Sequence, residues 1–110
     1  MKAKTVGLLV LAGLILLGTT NAVAGQKATY KVGSTTYIVG EYYQTGIPKV
    51  ERSSTVRSEF LQQRGYSQVP AGYEVDHIIP LSRGGADATY NMQLLPISVH
   101  NAKTARERSW

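Results

Sequence analysis

The hydrophobic and polar positions between residues 29 and 39 predict two short β-strands, one on each side of a turn. β-Branched and aromatic residues, which favour strands, are frequent in both halves of the segment. Gly33-Ser34 lies between the halves and predicts the turn of a β-hairpin. The next segment, residues 41–50, contains a glycine and a proline and is predicted to be a loop.

The segment after this loop has the spacing of apolar residues that is typical of a helix. Ser53 or Ser54 can cap the start of a helix that runs to Arg64, and Gly65 stands where a left-handed residue commonly ends a helix. The expected apolar face of this helix consists of Val56, Phe60 and Leu61.

The last third of the chain is predicted to fold as strand, loop, strand and helix. Residues 73–79 and 91–95 have the composition of strands, and Ser98 can cap a helix that runs to about residue 108. The loop of about ten residues between the strands is long for a small domain, and long loops often serve function. The expected core positions of this part are Ile78, Ile79, Leu81, Leu94 and Leu95.

Residues 1–24 have the pattern of a cleaved secretory signal peptide. Two lysines precede the apolar run from Val6 to Gly18, and Ala22 and Ala24 satisfy the small-residue rule of signal peptidase. The alternative is a membrane anchor, but a spanning helix needs about 20 apolar residues and this run is shorter. We therefore expect export to the periplasm or the medium without stable membrane association, and one domain over residues 25–110.

Composition restricts how this domain can be stabilised and what it can bind. Residues 25–110 contain ten lysines and arginines against seven acidic residues, a formal net charge of +3. Such a surface favours a polyanionic partner, although the same charge also serves solubility alone. The absence of cysteine excludes disulfides and cysteine-bound zinc. A small domain, expected to be a monomer, must then rely on packing, on polar contacts or on a metal held by oxygen and imidazole.

Both histidines of the chain lie in its last third, and one of them directly follows an aspartate. Successive side chains of a strand point to opposite faces, so Asp76 and His77 should have different surroundings. Asp76, at a strand end, and His100, in the first turn of the last helix, can share one divalent ion. His77 would stay free to accept a proton from water, as an imidazole can near neutral pH. Taken singly, each of these residues is more commonly a solvated or capping residue.

Four motifs stand in fixed order in this part of the chain: Asp76-His77-Ile78-Ile79-Pro80-Leu81, Gly84-Gly85, Asn91-Met92-Gln93-Leu94-Leu95 and His100-Asn101-Ala102-Lys103-Thr104. Together they resemble the HNH endonuclease family, which folds such a segment as a ββα-metal unit. The 14 positions from His77 to Asn91 and the nine from Asn91 to His100 fit the family pattern. The resemblance implies an α+β fold, with the N-terminal hairpin and helix packed with a C-terminal ββα unit at about residues 73–108.

The resemblance also implies a role for each matching residue. His77 corresponds to the general base, and Asp76 and His100 correspond to two ligands of a metal ion. Asn91 corresponds to the residue whose side chain ties the long loop and helps to hold the base. The chain lacks the zinc-binding cysteine pairs of many members, and Thr104 stands where colicin-type nucleases have a further ligand histidine. Two ligands fit Mg²⁺ or Mn²⁺, completed by water and phosphate, better than the alternatives Zn²⁺ and Ni²⁺.

The function that the resemblance implies is metal-dependent hydrolysis of phosphodiester bonds by an endonuclease. DNA is the expected substrate, with low sequence specificity because little surface lies outside the motif. Arg83, Lys103 and Arg106 are candidates for phosphate contact, although solvated basic residues are about as common. Two alternatives stay open: a non-cleaving nucleic-acid-binding module with a structural metal, and a phosphodiesterase that acts on RNA or nucleotides. Retention of His77 disfavours the first, since a structural metal needs no base.

Overall fold

A computed structural model describes residues 25–109 of the chain, so the predicted signal peptide lies outside the described residues. Within that range, neither helix has the length and apolar character needed to cross a membrane. Helices and strands occur together, which confirms the predicted α+β class. In chain order they are β1 (Thr29–Val32), β2 (Thr35–Tyr42), β3 (Pro48–Glu51), α1 (Ser54–Gln63), β4 (Tyr73–His77), β5 (Met92–Pro96) and α2 (Ile97–Glu107).

The N-terminal sheet pairs its strands antiparallel in the order β1-β2-β3. The predicted hairpin is confirmed, and its turn contains Gly33 at φ 60°. The prediction of a loop over residues 41–50 is wrong at both ends, because β2 continues to Tyr42 and β3 begins at Pro48. An outer strand tolerates proline at its first residue, so the proline that suggested a loop instead opens a strand.

α1 lies within one residue of its predicted limits, and the residues that were expected to begin and end it do so. The side chain of Ser53 accepts a hydrogen bond from the N–H of Val56 at 3.2 Å, which satisfies one free donor of the first turn. Gly65, at φ 84°, supplies the left-handed residue beyond the helix. The apolar core around this helix consists of Val56, Phe60, Leu61 and Met92, with Val69, Val75 and Leu94 packed against it.

β4 pairs antiparallel with β5, and β4 ends earlier than predicted. The N–H groups of Ile78 and Ile79 donate to the backbone and side-chain oxygens of Asn91, at 2.8 Å and 3.0 Å, instead of continuing the ladder. These two residues are 45% and 54% exposed, so their prediction as core residues is wrong. Leu81, by contrast, is buried as predicted.

α2 follows β5 without a linker, and the predicted Ser98 cap is wrong. The helix begins at Ile97 after Pro96, which makes no side-chain cap bond. The N–H of Ile97 instead donates to the carbonyl of Gly72 at 3.0 Å, so the turn before β4 satisfies one free donor of the helix. His100 consequently lies in the first turn of α2, as expected.

Candidate active site

The end of β4 and the first turns of α2 border a cavity of about 310 Å³. Asp76, His77 and His100 all line it, so the fold brings the proposed ligands and the proposed base to one place. Tyr43 and Arg52, from the N-terminal part of the chain, also line the cavity. The cavity is therefore built by both parts of the molecule.

The carboxylate of Asp76 is buried among polar groups. Its cross-strand partner Gln93 donates from Nε2 to Oδ2 at 3.0 Å. Nζ of Lys103 lies 3.2 Å from Oδ2, and Nε2 of His100 lies 3.8 Å from Oδ1. These contacts direct the carboxylate of Asp76 toward α2 and leave Oδ1 nearest to His100.

Lys103 is engaged inside the protein. Its Nζ donates to the carbonyl of His77 at 3.0 Å and forms ion pairs with Asp76 and Glu107. Burial lowers the pKa of Lys103, but the hydrogen bonds and charges of Glu107 and Asp76 outweigh burial and raise that pKa above its ordinary value of 10.5. Lys103 thus keeps a positive charge beside Asp76, and its contact with phosphate stays a prediction.

Asp76 and His100 form a donor pair that fits one divalent ion. Two ligands about 2.1 Å from the same ion are roughly 3.0–3.4 Å apart, and Asp76 Oδ1 and His100 Nε2 are separated by 3.8 Å. A small approach would bring both onto one ion. Nδ1 of His100 is buried without a hydrogen-bond partner among residues 25–109, so no acceptor in that range locks this ring. Among residues 25–109 no three His, Asp or Glu side chains cluster as a metal site.

The side chain of His77 has a different partner from that of Asp76. Its Nε2 lies 3.0 Å from Oδ1 of Asp87, in the loop between β4 and β5. The side chain of His77 is 13% exposed, and that of Asp87 is 1% exposed. Nδ1 of His77 makes no hydrogen bond to the described residues and is not among their buried unpaired atoms. One ring nitrogen is thus held by the protein, and the other stays accessible.

Sequence reasoning missed Asp87. It is buried at the centre of contacts from residues 34, 35, 53 and 77, and the first three of these lie 34 to 53 positions from it in the chain. An aspartate in a glycine-containing loop ordinarily indicates a turn. The available signal was its position in a long loop between Gly85 and Asn91, which indicated a functional loop but no partner for Asp87.

Asn91 closes the loop between β4 and β5. Its Oδ1 accepts from the N–H of Ile79 at 3.0 Å, and its Nδ2 donates to the carbonyls of Ile79 and Ala86 at 3.0 Å and 2.8 Å. Gly85 is needed beside it, because a Cβ there would overlap the carbonyl of Ile79 and lie 2.9 Å from Asn91 Nδ2. The expected contact of Asn91 with the loop is present, while its effect on activity stays a prediction.

The remaining basic candidates lie outside the cavity. Arg83, in the 3₁₀ turn Leu81–Arg83, lines a separate concave surface with Ile78 and Ile79. Arg106 is exposed in the last turn of α2. Arg52, which the sequence did not single out, does line the cavity.

Residues 65–106 match the family model described as HNH endonuclease. The matched segment contains β4, the loop, β5 and nearly all of α2, together with Asp76, His77, Asn91 and His100. The N-terminal sheet and α1 precede it. No curated protein matches the chain. With this match on a ββα unit, residues 65–106 form an HNH endonuclease domain, a kind of domain whose general activity is that of a nuclease acting on nucleic acid.

Proposed function

We propose that this protein is a metal-dependent endonuclease that hydrolyses phosphodiester bonds in DNA with low sequence specificity. The observation that carries the proposal is the convergence of Asp76, His77 and His100 on one cavity, inside the segment that matches the HNH family. A pair of metal ligands and a histidine with an accessible ring nitrogen supply two components that this hydrolysis needs.

Asp76 and His100 would hold one divalent ion. Mg²⁺ and Mn²⁺ are the candidates, because water and phosphate would provide the other ligands as oxygen atoms. When bound, the ion would act as a Lewis acid that stabilises negative charge on the phosphate and on the leaving oxygen. Gln93 and Lys103 hold the Asp76 carboxylate in place.

His77 would act as the general base through Nδ1, since its Nε2 is occupied by Asp87. The oxygen of a water molecule bonds to phosphorus while the bond from phosphorus to the 3′-oxygen breaks. The proton of that water passes to Nδ1, and the leaving oxygen takes a proton from solvent. The products are a 5′-phosphate and a 3′-hydroxyl. Asn91 would keep the loop beside His77 closed during this step.

Phosphate contacts would supply most of the affinity for DNA. Arg52 lines the cavity, and Arg83, Lys103 and Arg106 add positive charge on or near the same unit. Contacts from basic side chains to phosphate fix a protein on DNA without reading its sequence. Low sequence specificity follows if these contacts dominate.

We also propose that the protein acts outside the cytoplasm, on the basis of the signal-peptide pattern in residues 1–24. N-terminal sequencing of the exported form should then start at Gly25 or a close neighbour. An intact N-terminus recovered with the membrane fraction would contradict export by cleavage.

A nicking assay on supercoiled plasmid tests the enzymatic proposal. The purified protein should nick the plasmid with Mg²⁺ or Mn²⁺ and be inactive with excess EDTA. His77→Ala should be inactive, whereas Asn101→Ala, an exposed neighbour of His100, should retain activity. Parallel assays on single-stranded DNA and RNA decide the substrate. Cleavage of RNA alone would show that the substrate is RNA and not DNA. Binding without cleavage under all metal conditions would favour a structural metal site.

A further inference from the structure

We infer that Asp87 is the positioning residue for His77, and that the N-terminal sheet and the start of α1 hold Asp87 in place. The inference rests on the proposed function, in which His77 is the general base. It extends the catalytic unit beyond residues 65–106, because the groups that hold Asp87 precede the matched segment.

Every polar group of Asp87 is bonded. Its Oδ1 lies 3.0 Å from Nε2 of His77, and its Oδ2 accepts from the N–H of Ser53 at 2.7 Å. Its own N–H donates to Oγ1 of Thr35 at 2.9 Å, and its carbonyl accepts from Oγ of Ser34 at 2.8 Å. Three of these four partners belong to the hairpin β1-β2, as Ser34 and Thr35 do, or to the cap of α1, as Ser53 does. The N-terminal part of the chain therefore fixes where the carboxylate stands.

The side chain of Asp87 is 1% exposed, so water does not solvate its carboxylate. A buried carboxylate needs donors to compensate for lost water, and here they are the N–H of Ser53 and the ring of His77. An ionised carboxylate only accepts hydrogen bonds, so it requires the proton of the neutral His77 ring to be on Nε2. The lone pair is then on Nδ1, the accessible nitrogen that the proposed mechanism uses. Asp87 would also stabilise the imidazolium that forms, as the aspartate of an Asp-His pair does.

Asp87→Asn provides a sharp test, because the N–H of Ser53 is a fixed donor. The amide must turn its oxygen toward that N–H, so its NH₂ group faces Nε2 of His77. Nε2 must then accept, and the ring proton moves to Nδ1. The variant should therefore invert the tautomer of His77 while changing few atoms, and the nitrogen needed for proton abstraction should lose its lone pair.

The experiment combines nitrogen-15 spectra of the His77 ring with steady-state kinetics on DNA. At a pH where the ring is neutral, the parent protein should show a protonated Nε2, and Asp87→Asn should show a protonated Nδ1. The variant should lose about 10- to 100-fold in kcat with little change in KM. A purely structural role would lower thermal stability without changing the tautomer in the folded protein.

A second pair of variants probes the support from the N-terminal sheet. Thr35→Val removes the acceptor of the Asp87 N–H. It should lower kcat several-fold and leave KM unchanged. Thr36→Val, the next residue on the same strand and without a contact to Asp87, should match the parent. Equal kcat in Thr35→Val and Thr36→Val would overturn the part of the inference that concerns the N-terminal sheet.

The outcomes separate this inference from the proposed function. An active parent with a protonated Nδ1, or an Asp87→Asn variant with unchanged kcat, would overturn the role of Asp87 and leave the nuclease function standing. A folded parent that cleaves no nucleic acid but shows the expected tautomer would overturn the nuclease function, while the placement of His77 by Asp87 would be supported. If Asp87→Asn fails to fold, the ring spectrum of the parent and the kinetics of Thr35→Val and Thr36→Val still decide whether Asp87 positions His77.

Discussion

Asp76 faces a nearby ammonium group and a nearby imidazole, and these neighbours should affect metal binding in opposite directions. In the proposed site His100 would offer a lone pair to the same ion as Asp76, whereas Lys103 would compete with that ion for the carboxylate. We expect Asp76→Asn and His100→Ala to weaken Mn²⁺ binding by at least about 10-fold, and Lys103→Met to strengthen it. Isothermal calorimetry measures all three. Unchanged Mn²⁺ affinity in both ligand variants would show that the site is assigned to the wrong residues.

Asn91 should affect both the stability of the protein and the geometry of the loop between β4 and β5. Asn91→Ala would leave an N–H and two carbonyls of the loop without their partner, and each buried unpaired group costs about 1–3 kcal/mol. The variant should therefore lose of the order of 3 kcal/mol in the free energy of unfolding, with a lower kcat. Urea denaturation and calorimetry with Mn²⁺ check this. A fully stable variant that no longer binds metal would make Asn91 a ligand instead.

At the scale of the elements, the loop between β4 and β5 depends on two glycines for different reasons. Gly84 adopts φ 92° with open space around its Cα, whereas Gly85 lies against the backbone of Ile79. Gly84→Ala should cost about 1–2 kcal/mol through its left-handed backbone. Gly85→Ala should cost about 2–4 kcal/mol, because the added methyl group forces the backbone and the Asn91 amide apart. Urea denaturation of both variants tests the order, and an equal loss would contradict the close contact.

Elements whose cause is local were predictable from the sequence. Ser53, the apolar spacing in α1 and Gly65 act within a few positions of one another, so the helix follows from them. Features that need distant partners were not predictable. β3 exists because it pairs with β2, and Ile78 and Ile79 are exposed because Asn91 ends the ladder.

The same distinction applies to the candidate site. The resemblance predicted where Asp76, His77 and His100 stand, because the matched ββα unit is contiguous in sequence. Asp87 could not be found in this way, because the groups that give it a role lie up to 53 positions away. Arg52 was missed for a similar reason, since only the folded chain brings it to the cavity.

At the scale of the whole molecule, polar contacts join the two parts of the chain. The buried apolar cluster described above lies around α1, whereas the buried residues Thr35 and Asp87 join the N-terminal sheet to the loop of the ββα unit. A chain without cysteine was expected to need packing, polar contacts or a metal. The structure contains the first two, and its polar contacts are also the ones that surround His77.

The distribution of positive charge over the molecule leads to a test of how DNA is held. Arg52 lines the cavity, whereas Arg57 lies on α1 and does not. If about three basic side chains contact phosphates, the logarithm of the association constant should fall with the logarithm of salt concentration at a slope of about −3. Arg52→Ala should reduce that slope by about 1 and weaken binding to all duplex sequences alike, while Arg57→Ala should leave the slope unchanged.

Fluorescence anisotropy with labelled duplex DNA in EDTA measures this slope without cleavage. Two duplexes of unrelated sequence should give the same slope and similar affinities, because phosphate contacts carry no sequence information. Equal slopes for Arg52→Ala, Arg57→Ala and the parent would remove Arg52 from the DNA contact surface. A strong difference between the duplexes would contradict low specificity, because contacts to base edges would then have to contribute to binding.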